Sequence, residues 1–114
     1  MPETLQDFKA QLFRTLASRS RVRILEALRA ARTLTVGELQ QRLAMDSSNV
    51  SQHLAILRSA GVVTARREGN NVWYSVEEPA IFALLDAART VFEHQAEARN
   101  LALQEDGEAP ASAE

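Results

Sequence analysis

The stretch Thr35-Val36-Gly37-Glu38-Leu39-Gln40-Gln41-Arg42-Leu43-Ala44-Met45-Asp46-Ser47-Ser48-Asn49-Val50-Ser51-Gln52-His53-Leu54-Ala55-Ile56-Leu57-Arg58-Ser59-Ala60-Gly61 decides how this chain folds. Val36, Leu39 and Leu43 recur at intervals of three and four, the period of one helix face. Ala44-Met45-Asp46 breaks the pattern. Asp46 is placed to cap a new helix, because its carboxylate can accept hydrogen bonds from backbone N–H groups that have no partner within the helix. The new helix is expected from Ser47 to about Ala60, with Val50, Leu54 and Leu57 as its inward stripe. Gly61 suits the left-handed position that ends a helix. A short helix, a tight turn and a longer helix together make a helix-turn-helix, whose second member enters the DNA major groove.

The inward stripe leaves Ser47, Ser48, Asn49, Ser51 and Gln52 on the outside. Their hydroxyl and amide groups can meet base edges or phosphate oxygens without charge repulsion. Asn49 and Gln52 have the geometry for a bidentate contact with adenine. The helix N-terminus favours a nearby phosphate. Arg58 follows on the same helix. His53 has no second metal ligand beside it and reads as either a DNA-facing or a packing residue. A row of polar residues on one helix is ordinarily just a solvated face, so its neighbours matter.

Towards the N-terminus, Leu5, Phe8, Leu12, Phe13 and Leu16 fall at helical intervals. Ser18 or Ser20 can cap a second helix running to about Ala31, with Val22, Leu25 and Leu28 inward. Thr33-Leu34-Thr35 is short and β-prone, an extended link. Towards the C-terminus, Val62–Glu68 and Asn71–Val76 read as strands. Gly69-Asn70 lies between them, and both residue types tolerate the positive φ of a tight hairpin. Arg66, Arg67, Asn70 and Asn71 cluster at its tip, where a wing would meet DNA. Pro79 fits the first turn of a long last helix with the stripe Ile81, Leu84, Leu85, Ala88, Val91 and Phe92. That stripe exceeds what a small domain needs for itself, which points to a second copy of the chain.

The 114 residues suffice for one domain, and the hydrophobic fraction of 46% is that of a folded protein. No apolar run approaches the length of a membrane helix. Met1–Thr4 lacks the basic and apolar stretches of a secretory signal. There is no cysteine, which removes disulfides and thiolate metal sites. These features fit a cytoplasmic protein. The net charge of −2 is unevenly spread. Glu105, Asp106, Glu108 and Glu114 carry enough of it that the rest of the chain would be +2 without them. Arg14, Arg19, Arg21, Arg23, Arg29 and Arg32 crowd one segment, opposed there only by Glu26. The expected organisation is a single domain over 1–103 and a disordered acidic tail over 104–114.

Three runs carry a family resemblance. Leu16-Ala17-Ser18-Arg19-Ser20-Arg21-Val22-Arg23-Ile24-Leu25 resembles the opening signature of ArsR/SmtB-type regulators. Val50 to Val63 is similar to their recognition helix and its exit. Arg66-Arg67-Glu68-Gly69 with Val72-Trp73-Tyr74-Ser75-Val76 resembles their wing. The resemblance covers roughly residues 5–95. It departs at Ser18-Arg19-Ser20-Arg21, where the family usually has an Asp-Pro-Thr-Arg run. It implies a mostly α winged helix-turn-helix with a small β-hairpin, in the order helix, helix, short β, helix, helix, strand, strand, helix. It also implies a homodimer through the first and last helices, with Leu5, Phe8, Leu12, Ile81, Leu84, Leu85, Ala88, Val91 and Phe92 at the interface. Two such copies would bind an inverted-repeat operator in double-stranded DNA and repress transcription.

Many such regulators respond to metals. Thr35 stands where the thiolate site on the third helix has its leading cysteine, so thiolate chemistry is excluded. At the last-helix site, anchoring on Tyr74-Ser75 puts Glu78, Ala80, Val91 and His94 in the ligand positions, and only two of those can bind a metal. A three-residue slide gains Glu97 but places Ile81 and Ala83 in the proximal pair. Zinc or nickel needs about four nitrogen or oxygen ligands. Glu78, His94 and Glu97, with Glu93 nearby, are the candidates. An exposed helical histidine is the simpler account of His94.

Two other functions compete. A winged helix can dock a protein co-regulator without reading DNA, and the acidic tail suits that role. An enzyme is excluded by the absence of a Gly-rich phosphate loop, a cysteine nucleophile or any catalytic constellation.

Overall fold

The computed structural model describes residues 3–105. The elements are α1 (Leu5–Leu16), α2 (Arg19–Ala31), α3 (Val36–Leu43), α4 (Ser47–Ser59), β1 (Thr64–Glu68), β2 (Asn71–Ser75) and α5 (Pro79–Glu105). This is the expected mostly α order with a two-stranded antiparallel hairpin. The residues through Pro79 form one compact unit and those from Ala80 a second.

Each of the first four helices starts on a side chain that accepts a free backbone N–H. Thr4 caps α1 and Ser18 caps α2. Thr35 caps α3 in a reciprocal box, with Glu38 accepting the Thr35 N–H in return. Asp46 caps α4. Ser18, not Ser20, is the α2 cap, because its hydroxyl reaches the Arg21 N–H three residues on.

The core of the first unit is aliphatic. Ile24, Leu25 and Leu28 of α2, Leu39 of α3 and Val50, Leu54 and Leu57 of α4 are all buried. Leu34, Val62 and Val63 join them from the connections. Leu34 exchanges both backbone hydrogen bonds with Tyr74, at 3.1 and 2.9 Å, so the extended link adds one rung beside β2.

Three details depart from expectation. The first strand begins at Thr64, not Val62. The Val62 N–H bonds the Leu57 carbonyl at 2.9 Å, so Val62 and Val63 close α4 and fill the core instead of pairing with β2. The second strand ends at Ser75, one residue short of Val76. In the hairpin turn only Gly69 has positive φ (62°), and Asn70 does not. Positive φ at the first central residue alone is the type II′ pattern.

Two non-glycine residues lie in the left-handed half of φ space. Ala44, in the turn between α3 and α4, has φ 54° and ψ 46°. Arg32, after α2, has φ 76° and ψ −55°, with the Thr33 N–H bonded to the Ala31 carbonyl at 2.9 Å. That is the rare γ-turn of positive φ, a strained conformation. Gly61 takes φ 77° beyond α4, as expected.

In the second unit, α5 continues through Glu105, past the expected boundary at 103. The rest of the acidic stretch, from 106, lies outside the described residues. Among the described residues no helix is long and apolar enough to cross a membrane.

Candidate nucleic-acid interface

The three buried side chains of α4 fix which of its faces is turned out. Ser47, Ser48, Asn49, Ser51, Gln52 and Arg58 are exposed, and His53 is half-buried. Burial of a leucine is worth about 1.5–3 kcal/mol, so Leu54 and Leu57 alone hold α4 against rotation about its axis.

The N-terminal end of α4 is tied by one carboxylate. Asp46 Oδ1 accepts the Asn49 backbone N–H at 2.8 Å and the Ser48 hydroxyl at 3.0 Å. Asp46 Oδ2 accepts from Asn49 Nδ2 at 3.2 Å. The bond from the Asn49 N–H, followed by that from Ser48, holds the Asp46 carboxyl below the usual carboxylate range.

His53 sits behind this front row. Its Nδ1 lies 3.3 Å from Arg21 Nη1, and Arg21 Nε donates to the Thr15 carbonyl at 2.6 Å. One guanidinium therefore closes the end of α1 and meets the flank of α4. Arg23 Nη2 donates to the Leu43 carbonyl at 3.0 Å and closes the end of α3. These two of the six clustered arginines hold helix C-termini, where a cation offsets the exposed carbonyls. The sequence alone did not separate them from the exposed Arg14, Arg19, Arg29 and Arg32.

The hairpin register pairs Arg66 with Trp73, Arg67 with Val72 and Glu68 with Asn71. Side chains alternate along a strand, so Arg66 and Arg67 lie on opposite faces of the wing. Arg66 makes an exposed ion pair with Glu68 at 3.3 Å, which is worth little to stability. Arg67 shares its face with Tyr74 and Ala65. Tyr74 lines an open cleft with Ser51, Leu54, Ala55, Arg58 and Ser59 of α4. Tyr74 and Ser59 thus join the residues beside the outward face of α4. No sequence signal singled them out, because the cleft depends on how the hairpin returns against the helix. Asn70 and Asn71 are exposed at the tip.

A family model described as a helix-turn-helix domain matches residues 16–66. The chain is 50% identical over 90 residues to the uncharacterized HTH-type transcriptional regulator Rv0081 of Mycobacterium tuberculosis (strain ATCC 25618 / H37Rv), covering 78% of each. The crystal structure of Rv0081 superposes with a TM-score of 0.75 at 47% identity, over 85% of this chain and 97% of that one. The chain belongs to the ArsR/SmtB family of winged helix-turn-helix transcriptional regulators.

As a member of that family it is a DNA-binding regulator and not an enzyme. Another relative is the probable mercury resistance operon repressor of Streptomyces lividans, 37% identical over 90 residues, 78% of this chain and 70% of that protein. The candidate metal donors of this chain are spread along it. Glu78 precedes α5, while His94 and Glu97 lie one turn apart on it. Among the described residues, no group of three or more His, Asp or Glu side chains gathers as a metal site would require. The chain has no cysteine to bind a soft metal.

Proposed function

We propose that this protein binds an inverted-repeat operator in double-stranded DNA as a homodimer, with α4 in the major groove, and represses transcription by occupying the promoter. The observation that carries the reading is the division of α4. Val50, Leu54 and Leu57 are fully buried, while Ser47, Ser48, Asn49, Ser51 and Gln52 stand exposed beside a wing bearing Arg66 and Arg67. Exposed hydroxyl and amide groups on a helix of this kind suit base edges, and flanking arginines suit phosphates. Arg58, Arg67, Asn70 and Asn71 extend the contact to the backbone. His53, held against Arg21, supports the helix from behind.

The homodimer is supported by apolar side chains that a single chain leaves in water. Leu5 and Phe8 of α1 are exposed, as are Val91 and Phe92 of α5, the last at 70%. Leu12, Leu84 and Leu85 are half-buried, Ala88 is exposed and Ile81 is buried. Two copies present two recognition helices to half-sites about one helical turn apart. The reading includes a cytoplasmic location, where the DNA is.

No step of this reading runs through a metal. A zinc or nickel titration of the DNA-binding isotherm tests Glu78, His94 and Glu97 as effector ligands in the dimer.

Fluorescence anisotropy with DNA from beside the protein's own gene tests the reading. Affinity should fall steeply with salt, because phosphate contacts release counterions. Gln52→Ala should weaken specific binding by about 1–3 kcal/mol and leave binding to scrambled DNA unchanged. Equal losses on both duplexes would remove Gln52 from base recognition.

A further inference from the structure

The exposed end of α4 is less free than its exposure suggests. A serine hydroxyl has a single hydrogen. Ser48 gives its hydrogen to Asp46 Oδ1, so its oxygen is left only able to accept. Asn49 directs Nδ2 at Asp46 Oδ2. The reverse orientation would set two acceptors face to face, so the carboxylate dictates which way the amide lies. One Nδ2 hydrogen is used and Oδ1 is left for another partner. The carboxylate also fills the Asn49 N–H and places its own negative charge where a helix N-terminus would otherwise draw a phosphate. The Ser48 and Asn49 side chains therefore each keep an acceptor oxygen for another partner. Acceptors match the amino groups that adenine and cytosine show in the major groove.

We propose that Asp46 is a positioning residue for base recognition. By taking the Ser48 hydrogen and one Asn49 amide hydrogen, it presets both side chains to accept from an adenine or cytosine amino group. The inference rests on the reading of α4 as the DNA-reading helix. It adds which chemical groups the first turn reads and which residue decides that.

Asp46→Asn separates positioning from capping. Asparagine caps helices about as well as aspartate. Its one carbonyl oxygen keeps the bonds from the Asn49 N–H and the Ser48 hydroxyl, but its second atom is now a donor and cannot accept from Asn49 Nδ2. A randomised duplex pool is first selected with the unaltered protein. The selected duplex and a scrambled copy are then titrated with both proteins by fluorescence anisotropy. The affinity ratio of selected to scrambled duplex should fall at least about fivefold in D46N, the scale of one lost hydrogen bond. The lost negative charge acts on both duplexes alike and cancels in the ratio. The effect of D46N should vanish when Ser48→Ala and Asn49→Ala are already present, because its two readers are then gone. That second arm detects any general damage to the helix. An unchanged ratio, or a fall that persists without Ser48 and Asn49, overturns the inference and leaves the DNA-binding reading standing. If the unaltered protein enriches no sequence, both fall.

Discussion

α4 and α5 are built on opposite terms. In 13 residues α4 buries three large aliphatic side chains completely and turns small polar groups outward. Its N-terminus is capped and its end is closed by Gly61 and Val62. α5 is 27 residues long, with Ile81 buried near its start and Val91, Phe92 and Leu101 all more than half exposed. The first helix is accounted for within one chain. The second carries apolar surface that one chain does not use, which is the signature of an interaction surface. In the proposed function, DNA recognition and pairing with a second copy therefore fall on separate pieces of sequence.

The sharpest way to break this contrast is to truncate one apolar residue in each helix. Leu54→Ala should cost about 2–5 kcal/mol in urea unfolding followed by circular dichroism, because the cavity lies in a packed core. Phe92→Ala should change the stability of the isolated chain by less than about 0.5 kcal/mol. Phe92→Glu should instead abolish self-association in sedimentation velocity and weaken operator binding at least about tenfold, about 1.4 kcal/mol. A Phe92→Glu protein that still sediments as a dimer would move the interface elsewhere.

A smaller effect probes the turn that leads into α4. Ala44 holds a left-handed conformation that costs an L-residue roughly 1–2 kcal/mol. Glycine relieves this but adds freedom to the unfolded chain. Ala44→Gly should raise stability by a net of about 0.5–1 kcal/mol in the same urea titration and leave the preference for operator over scrambled DNA untouched.

The smallest effect is on pH. The Asp46 carboxyl titrates lower in the folded protein than in the unfolded chain. Its stabilising contribution is complete above the ordinary aspartate range and is lost as the pH falls through its lowered folded value. Asp46→Asn should flatten that acid limb of the stability profile, because it removes the carboxylate's contribution at neutral pH and leaves nothing to lose in acid. An acid limb identical in both proteins would show that the cap is not what titrates there.

Much of this was legible in the sequence because it rests on local rules. The period of the apolar residues located all five helices. Asp46 and Gly61 marked the ends of α4, and Gly69-Asn70 marked the hairpin. What was not legible depended on distant partners. Arg23 reaches a carbonyl twenty residues away, so nothing beside it in the sequence distinguishes it from Arg29. Arg66 and Arg67 look like one basic cluster until the register separates them to two faces. Val62 and Val63 have strand-forming side chains, yet burial in the core claims them first. Ala44 and Arg32 adopt conformations that glycine would announce, and neither is glycine. The exposed row on α4 was foreseen, but not that Asp46 already engages Ser48 and Asn49.

The most direct test of the central claim is the sequence the protein selects from a randomised duplex pool. A dimer that reads DNA through α4 should enrich two inverted half-sites, centred about one helical turn apart, with two chains bound per duplex. Enrichment of a single half-site by one chain, or of no sequence at all, would contradict it.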